Sequence, residues 1–243
     1  MPAPFGFVIE ADIDGLEQVE RLIKGFPQHA QFATALALTK TAKRLQSHYT
    51  SRLPSIFDRP TPYVLRSLRT RPATKKNLHA EVLFKDESFK GTPATRYMAP
   101  HVYGGRREQK VSEWRLHDAG YLKPNEITVP GKSIRLDQYG NMRRGIITRI
   151  LSNVRAQGDA AQNTTDSSKA RYFYGLIKGT RGIWERYDRG GRSVRPALLF
   201  VESPNYEKRF RFYEIGEKFV ADVLPDAFIR AFTQAIATAR TGK

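Results

Sequence analysis

Histidines, carboxylates and serines are the side chains that could do chemistry in this 243-residue chain, which contains no cysteine. The five histidines are His29, His48, His79, His101 and His117. No two of them stand four residues apart, so none forms the helical pair that binds zinc, and no HExxH motif occurs. The absence of cysteine removes disulfides, thiolate zinc sites and cysteine nucleophiles. The sequence therefore predicts no metal site.

The closest pairs of carboxylates are Asp12 with Asp14 and Asp86 with Glu87. Both pairs stand beside turn signals, so we interpret them as turn or capping residues rather than as a general acid and base. The serines lack the G-x-S-x-G context of a hydrolase nucleophile. These patterns favour a protein that is not an enzyme and that has no cofactor.

Two clusters of glycine and arginine have the composition of a phosphate-binding loop. They are Gly104-Gly105-Arg106-Arg107 and Arg189-Gly190-Gly191-Arg192. Neither matches the spacing of a P-loop or of a dinucleotide fingerprint, so we interpret both as turns with solvated arginines.

The net charge is the strongest signal in the composition. The chain carries 41 basic and 24 acidic residues, a formal charge of +17. A field of this size favours a polyanion such as nucleic acid, or an acidic protein partner. The alternative is a solvated basic surface with no specific partner.

Six basic residues are candidates for an interface or a DNA-facing surface: Arg106, Arg107, Lys110, Arg143, Arg144 and Arg149. The first three follow the Gly104-Gly105 break, and the other three belong to a predicted helix. A basic helix of this kind can lie on phosphates. The sequence lacks RNP aromatics, zinc fingers and paired short helices, so it does not indicate base readout.

Local patterns predict the elements that position these residues. The first half holds a strand at 5–9, helices at 12–24 and 28–53, a helical turn at Thr61-Pro62, strands at 67–72 and 78–85, and an extended segment at 96–103. The second half holds an amphipathic run with Val111, Trp114 and Leu116, a turn at 137–140, a helix at 142–154, and strands at 171–177, 182–187 and 194–202. A C-terminal helix is predicted to open at Ser203-Pro204 and to break at Leu224-Pro225.

This order predicts an α+β fold in which long N- and C-terminal helices flank an antiparallel sheet. We predict a single domain over 1–243, with a helix-containing insertion at about 97–154. Residues 157–169 contain almost no apolar side chains, which predicts a flexible loop or a segment that orders on binding. No apolar run approaches the roughly 18 residues of a membrane-spanning helix, and the N-terminus has no signal-peptide pattern.

Several long segments resemble a group of virion proteins of tailed bacteriophages. They are the helix 28–53, RPTPYVLRSLRTRPAT at 59–74, YMAPHVYGGRREQKVSEWRL at 97–116, VPGKSIRLDQYGNMRRGIITRILS at 129–152 and RPALLFVESPNYEKRFRFYEIGEKFV at 195–220. The group comprises minor tail or tail-completion proteins, similar in layout to the lambda-type minor tail protein Z. The resemblance covers most of the chain and is weakest over 157–169. It rests on the order of the segments and not on a catalytic motif.

The resemblance implies an α+β subunit that forms a ring with copies of itself at the head–tail junction, in the neck or at the head-proximal end of the tail. Its implied partners are portal or adaptor proteins, tail proteins and, transiently and without specificity, packaged DNA. It implies no catalytic residues and no membrane partner. The protein would be made in the host bacterial cytoplasm and reside in the virion. The alternative hypothesis is a cytoplasmic, sequence-independent DNA-binding protein.

Overall fold

The structure is a computed structural model that describes residues 5–10, 21, 24, 27–86, 92–132, 134–166, 170–188, 190 and 192–241. The described residues form seven strands and six α-helices, and every strand pair is antiparallel. The predicted α+β class is therefore confirmed. The described helices include none that is both long enough and apolar enough to cross a membrane.

The contacts group the chain into two compact units, one made of the residues up to Gly104 and from Glu207 onward, the other of Gly105–Tyr206. The second unit is longer than the predicted insertion at 97–154, because it also takes in the three strands that follow. Compactness does not show whether a unit folds on its own, so a single domain over 1–243 stays a prediction.

The first unit combines a three-stranded sheet with two long helices. Its strands are β1 (Gly6–Glu10), β2 (Leu68–Arg71) and β3 (His79–Phe84), in the order β1-β3-β2. Its helices are α1 (Pro27–Ile56), the short α2 (Pro62–Leu65), α3 (Ala94–Tyr103) and the C-terminal α6 (Phe212–Thr241). The Thr61 side chain accepts a hydrogen bond from the Val64 N–H and caps α2, as the Thr-Pro pair predicts.

Aromatic side chains fill the core of this unit. Tyr49 of α1 stacks on Phe212 with ring centroids 4.5 Å apart, and its hydroxyl donates a 2.6 Å hydrogen bond to the Phe212 carbonyl. Phe228 and Phe232 of α6 are buried in the same cluster. The aromatic stripe of the C-terminal helix therefore packs in the core, as its spacing predicts.

The second unit is a four-stranded sheet with two helices. Its strands are β4 (Glu126–Pro130), β5 (Tyr172–Ile177), β6 (Thr180–Arg186) and β7 (Val194–Glu202), in the order β4-β7-β6-β5. Its helices are α4 (Val111–Asp118) and α5 (Arg144–Asn153), with a 3-10 turn at Ala160–Gln162. The three predicted strands after residue 170 are confirmed, whereas β4 lies in a stretch that the sequence indicates as a loop.

One face of this sheet supports both helices. Leu198, Phe200 and Ile183 share a buried cluster with Leu116 of α4 and Ile150 of α5. The strand register puts a different set on the other face, because directly opposed residues point to the same side. That outer face carries Phe173, Trp184, Leu199, Val129 and Val201.

Several predicted elements differ from the structure. The segment predicted as extended at 96–103 is helix α3, which continues through Pro100. No helix opens at Ser203-Pro204, because the Ser203 N–H donates to the Asn125 carbonyl and α6 begins only at Phe212. At Ser203, a hydrogen bond to a residue far away in the chain takes the place of the helix start that the local Ser-Pro pair predicts.

The C-terminal helix is continuous, where Leu224-Pro225 predicts a break. Pro225 lies inside α6 and Pro54 lies inside α1. The two helices pack along one another and bury Leu224 and Phe228 directly around the proline. This burial offsets the lost backbone hydrogen bond.

Some predictions fall on residues outside the described ranges. Apart from Arg21 and Lys24, the helix at 12–24 lies outside them, as do Glu87 and Ser133. The predicted turn at Arg189-Gly190-Gly191-Arg192 is described only at Gly190 and Arg192.

Candidate functional site

The segment that carries Arg106, Arg107 and Lys110 leads into α4. The Arg107 guanidinium bonds within the protein, because it donates two 2.7 Å hydrogen bonds to the Glu113 carboxylate. Arg106 is exposed and lies 3.3 Å from a carboxylate oxygen of Glu202. Lys110 is exposed and donates its backbone N–H to Glu113. Arg107 is therefore a poor candidate for contact with a partner.

Glu113 joins α4 to the sheet. Its side chain is fully buried and accepts further hydrogen bonds from the Thr128 N–H at 2.8 Å and the Thr128 hydroxyl at 3.0 Å. Burial by itself raises the pKa of this carboxyl, but the hydrogen bonds from Arg107, Thr128 and Lys110 outweigh burial and hold the pKa below its usual range. The carboxylate is charged and saturated with donors, so it is a structural group and not a general acid.

The three other predicted residues gather on α5. Asp137 organises the approach to this helix, since its carboxylate accepts 2.9 Å hydrogen bonds from the Tyr139 and Asn141 N–H groups. Arg143 then stands at the N-cap, and α5 starts at Arg144. The guanidinium-bearing side chains of Arg143, Arg144 and Arg149 are exposed.

A groove of about 810 Å³ runs between α5 and the loop that follows it. Its lining residues are Arg144, Gly145, Thr148, Arg149, Ser152 and Asn153 from the helix, and Gln157, Gln162 and Thr164 from the loop. The structure thus brings Arg144 and Arg149 to one surface. Within the described ranges, neither of these guanidiniums has an ion-pair or hydrogen-bond partner.

The loop wall of the groove is held to α5 by hydrogen bonds. The Gln157 amide donates to the Thr148 carbonyl at 2.8 Å, and the Thr164 N–H donates to the Ser152 carbonyl at 3.1 Å. The Asn153 amide donates to the Thr164 hydroxyl at 2.9 Å. The composition of 157–169 predicts a flexible loop or a segment that orders on binding, and this stays a prediction. Residues 157–166 form a loop in the structure that is hydrogen-bonded to α5. Polar side chains replace the missing apolar contacts.

Two features of the sequence indicate this loop wall. Asp159 caps the 3-10 turn by accepting from the Ala161 N–H at 3.0 Å, a common role for aspartate in a turn. Gln157, Gln162 and Thr164 carry the donors and acceptors that bond to α5. Which groups they reach depends on the path of the loop, so the groove could not be located from sequence.

Comparison with known proteins gives no match. No family model, no curated protein and no solved structure is similar enough to count as a relative.

Helix α4 presents apolar side chains to the outside. Val111 is 64% exposed and Trp114 is 57% exposed, whereas Leu116 and the charged Glu113 are buried. An amphipathic helix normally buries its tryptophan and exposes its glutamate. The inversion arises because Glu113 is needed for the contacts with Arg107 and Thr128. It leaves an exposed apolar pair, which we call the α4 pair.

The outer face of the four-stranded sheet is also apolar. Val129 is 39% exposed and Val201 is 37% exposed. Trp184 is more covered, because its ring and that of Phe173 lie over the gap left by Gly175. The Arg186 guanidinium lies 4.2 Å from the centroid of the Phe173 ring. This face and the α4 pair are of the kind that proteins use to contact other proteins.

The remaining candidates for chemistry have structural surroundings. Asp86 lies 3.1 Å from the Arg69 guanidinium. Burial lowers the pKa of His101, whose ring packs edge-on against Phe57, and the charge of Arg209 lowers it further. Gly104 and Gly105 adopt positive φ values of 80° and 88°, as a glycine turn predicts. Where the chain is described, no three His, Asp or Glu side chains come together as a metal site would need.

Proposed function

We propose that this chain is a structural subunit of a tailed-bacteriophage particle at the head–tail junction, where it acts through contacts with neighbouring protein subunits. The sequence resemblance supplies the location and the implied ring. The α4 pair is the observation that carries the proposal. It is an exposed tryptophan beside an exposed valine on a helix whose buried side is fixed by a carboxylate.

Such a pair favours a protein partner over a nucleic acid. Tryptophan is enriched among the few interface residues that dominate binding, whose truncation costs about 2 to 8 kcal/mol. Phosphates give an exposed valine nothing to contact. The outer sheet face adds a second apolar surface in the same unit, which suits a subunit with neighbours on two sides.

The test uses particles. An antibody blot across a density gradient of the producing lysate, with DNase-treated particles alongside, should show the chain in the intact-particle band at a few to a dozen copies per particle. Signal confined to the soluble or DNA-bound fractions would overturn the proposal.

A double variant then tests whether the α4 pair is an assembly surface. Trp114→Ser with Val111→Ser should fold normally, because both side chains are exposed, but should be depleted at least tenfold from particles. Leu176→Ser is the matched control, since Leu176 is 66% exposed in the same unit. Normal incorporation of the double variant would exclude the α4 pair as an assembly surface.

The second candidate function is a cytoplasmic, sequence-independent DNA-binding protein. The exposed arginines on α5 and the net charge of +17 favour it. A dedicated binder of this kind stays bound near 0.15 M salt, and log K falls linearly with log salt. A virion subunit should bind DNA weakly as a free protein at that salt concentration.

A further inference from the structure

We infer that the groove beside α5 is a binding site for the backbone of a nucleic-acid strand, with Arg144 and Arg149 each contacting one of two neighbouring phosphates. The inference does not rest on the virion proposal, since it concerns the free chain. It extends the sequence prediction, which named basic residues but neither a cavity nor a mode of binding.

The chemistry of the groove selects an anion. The Gln157 side chain donates a hydrogen bond to the Thr148 carbonyl and accepts one from Arg115. The Asn153 side chain donates to the Thr164 hydroxyl and accepts from the Tyr172 N–H. The guanidiniums of Arg144 and Arg149 are therefore the strongest donors still available along the walls. A guanidinium presents a planar fork of N–H groups that matches the oxygens of a phosphate.

The spacing of the two arginines favours a polymer. Arg149 stands five positions after Arg144 in the helix, a rise of roughly 7.5 Å along the axis. Neighbouring phosphates of an extended strand are separated by a similar distance. A strand lying along the groove could therefore place one phosphate against each guanidinium.

The surroundings extend the positive charge beyond the groove. Between residues 132 and 155 the chain carries six basic side chains and one acid, Asp137. The Asp137 carboxylate accepts hydrogen bonds from the N–H groups of Tyr139 and Asn141. This local excess of positive charge attracts a polyanion toward the groove.

The hydrogen bonds of the side chains that line the groove predict binding without recognition of base edges. The side-chain amides of Gln157 and Asn153 are engaged within the protein and so do not reach a base edge, and in this mode of binding both free guanidiniums contact phosphates. Two phosphate contacts and a general field give affinity without sequence preference.

Gly145 offers a test that leaves the charge unchanged. It lines the groove, and a Cβ added there would meet no atom within 4 Å. Gly145→Leu should therefore fill the groove without disturbing the fold, while Gly145→Ala adds one methyl group and serves as its control. If binding came only from the overall charge of +17, the leucine variant would bind like the wild type.

The experiment is fluorescence anisotropy of the full chain with labelled single-stranded and duplex DNA of two unrelated sequences, over a range of salt concentrations. We expect Gly145→Leu to weaken binding at least tenfold on both sequences and Gly145→Ala to change it less than twofold. Arg144→Ala with Arg149→Ala should reduce the slope of log K against log salt by about 1.4 for a single strand or about 1.8 for a duplex, the loss of two phosphate contacts.

Arg106→Ala with Arg192→Ala is the matched control, because it removes two exposed arginines from the same unit outside the groove. Equal effects of the two double variants, or wild-type binding by Gly145→Leu, would overturn the inference. It would also be overturned if a poly-glutamate peptide competed better than DNA and lost its binding in the groove variants, since the partner would then be an acidic protein. Thermal melting of each variant separates loss of binding from loss of fold.

Discussion

Arg107 and Glu113 face each other in a two-pronged ion pair, with both N–O distances at 2.7 Å. The Arg107 side chain is 16% exposed and that of Glu113 is 0% exposed. Arg106, the preceding residue, makes only a surface pair with Glu202, at 3.3 Å. Two adjacent arginines that look equivalent in sequence thus have different roles.

The first prediction compares these neighbours. Arg107→Ala leaves the buried Glu113 charge uncompensated, so it should lower the free energy of unfolding by about 3 to 5 kcal/mol. Arg106→Ala should lower it by less than about 1 kcal/mol, because its partner is solvated. Urea denaturation measures both. Equal losses would show that Glu113 does not depend on Arg107.

The second prediction concerns pH. The pKa of the Glu113 carboxyl is lowered in the folded protein. The carboxylate therefore contributes to the free energy of unfolding above the unfolded pKa of about 4.3. This contribution is lost as the pH falls through the lower pKa of the folded state. Glu113→Gln lacks this titration. The stability difference between wild type and Glu113→Gln should therefore shrink below about pH 4. A difference that stayed constant from pH 7 to pH 3 would contradict the lowered pKa.

The third prediction pairs two glycines in helices. A Cβ at Gly216 would collide with the Tyr49 hydroxyl and the Phe7 ring, so Gly216→Ala should destabilise the chain by about 1 to 3 kcal/mol. Gly145→Ala meets open space and should stabilise by up to about 1 kcal/mol through helix propensity. Thermal unfolding of the two variants should give shifts of opposite sign.

The fourth prediction tests the continuity of the C-terminal helix. In a continuous α6, Pro225→Ala restores a backbone donor and should stabilise by about 1 to 3 kcal/mol. Pro204→Ala is the control, because Pro204 is exposed and outside any helix. It should change stability by less than about 0.5 kcal/mol. A loss of stability in Pro225→Ala would indicate that the packing requires the proline ring.

The sequence determined the elements whose signals are local. The apolar spacing of α1 and the strands from 171 to 202 were predictable because periodicity and turn residues act over a few neighbours. The exposed arginines of α5 could be named for the same reason. That they face DNA stays a prediction.

The tertiary structure decided everything that depends on a distant partner. The Arg107 guanidinium is held by Glu113, which also accepts a hydrogen bond from Thr128 of β4, whereas Arg144 is exposed and has no ion-pair partner among the described residues. Packing between α1 and α6 carries the helix through Pro225. The sequence predicts one sheet, whereas the described residues form two, since local patterns do not say which strands pair. These outcomes depend on contacts between residues far apart in the chain, and composition and spacing do not specify those contacts.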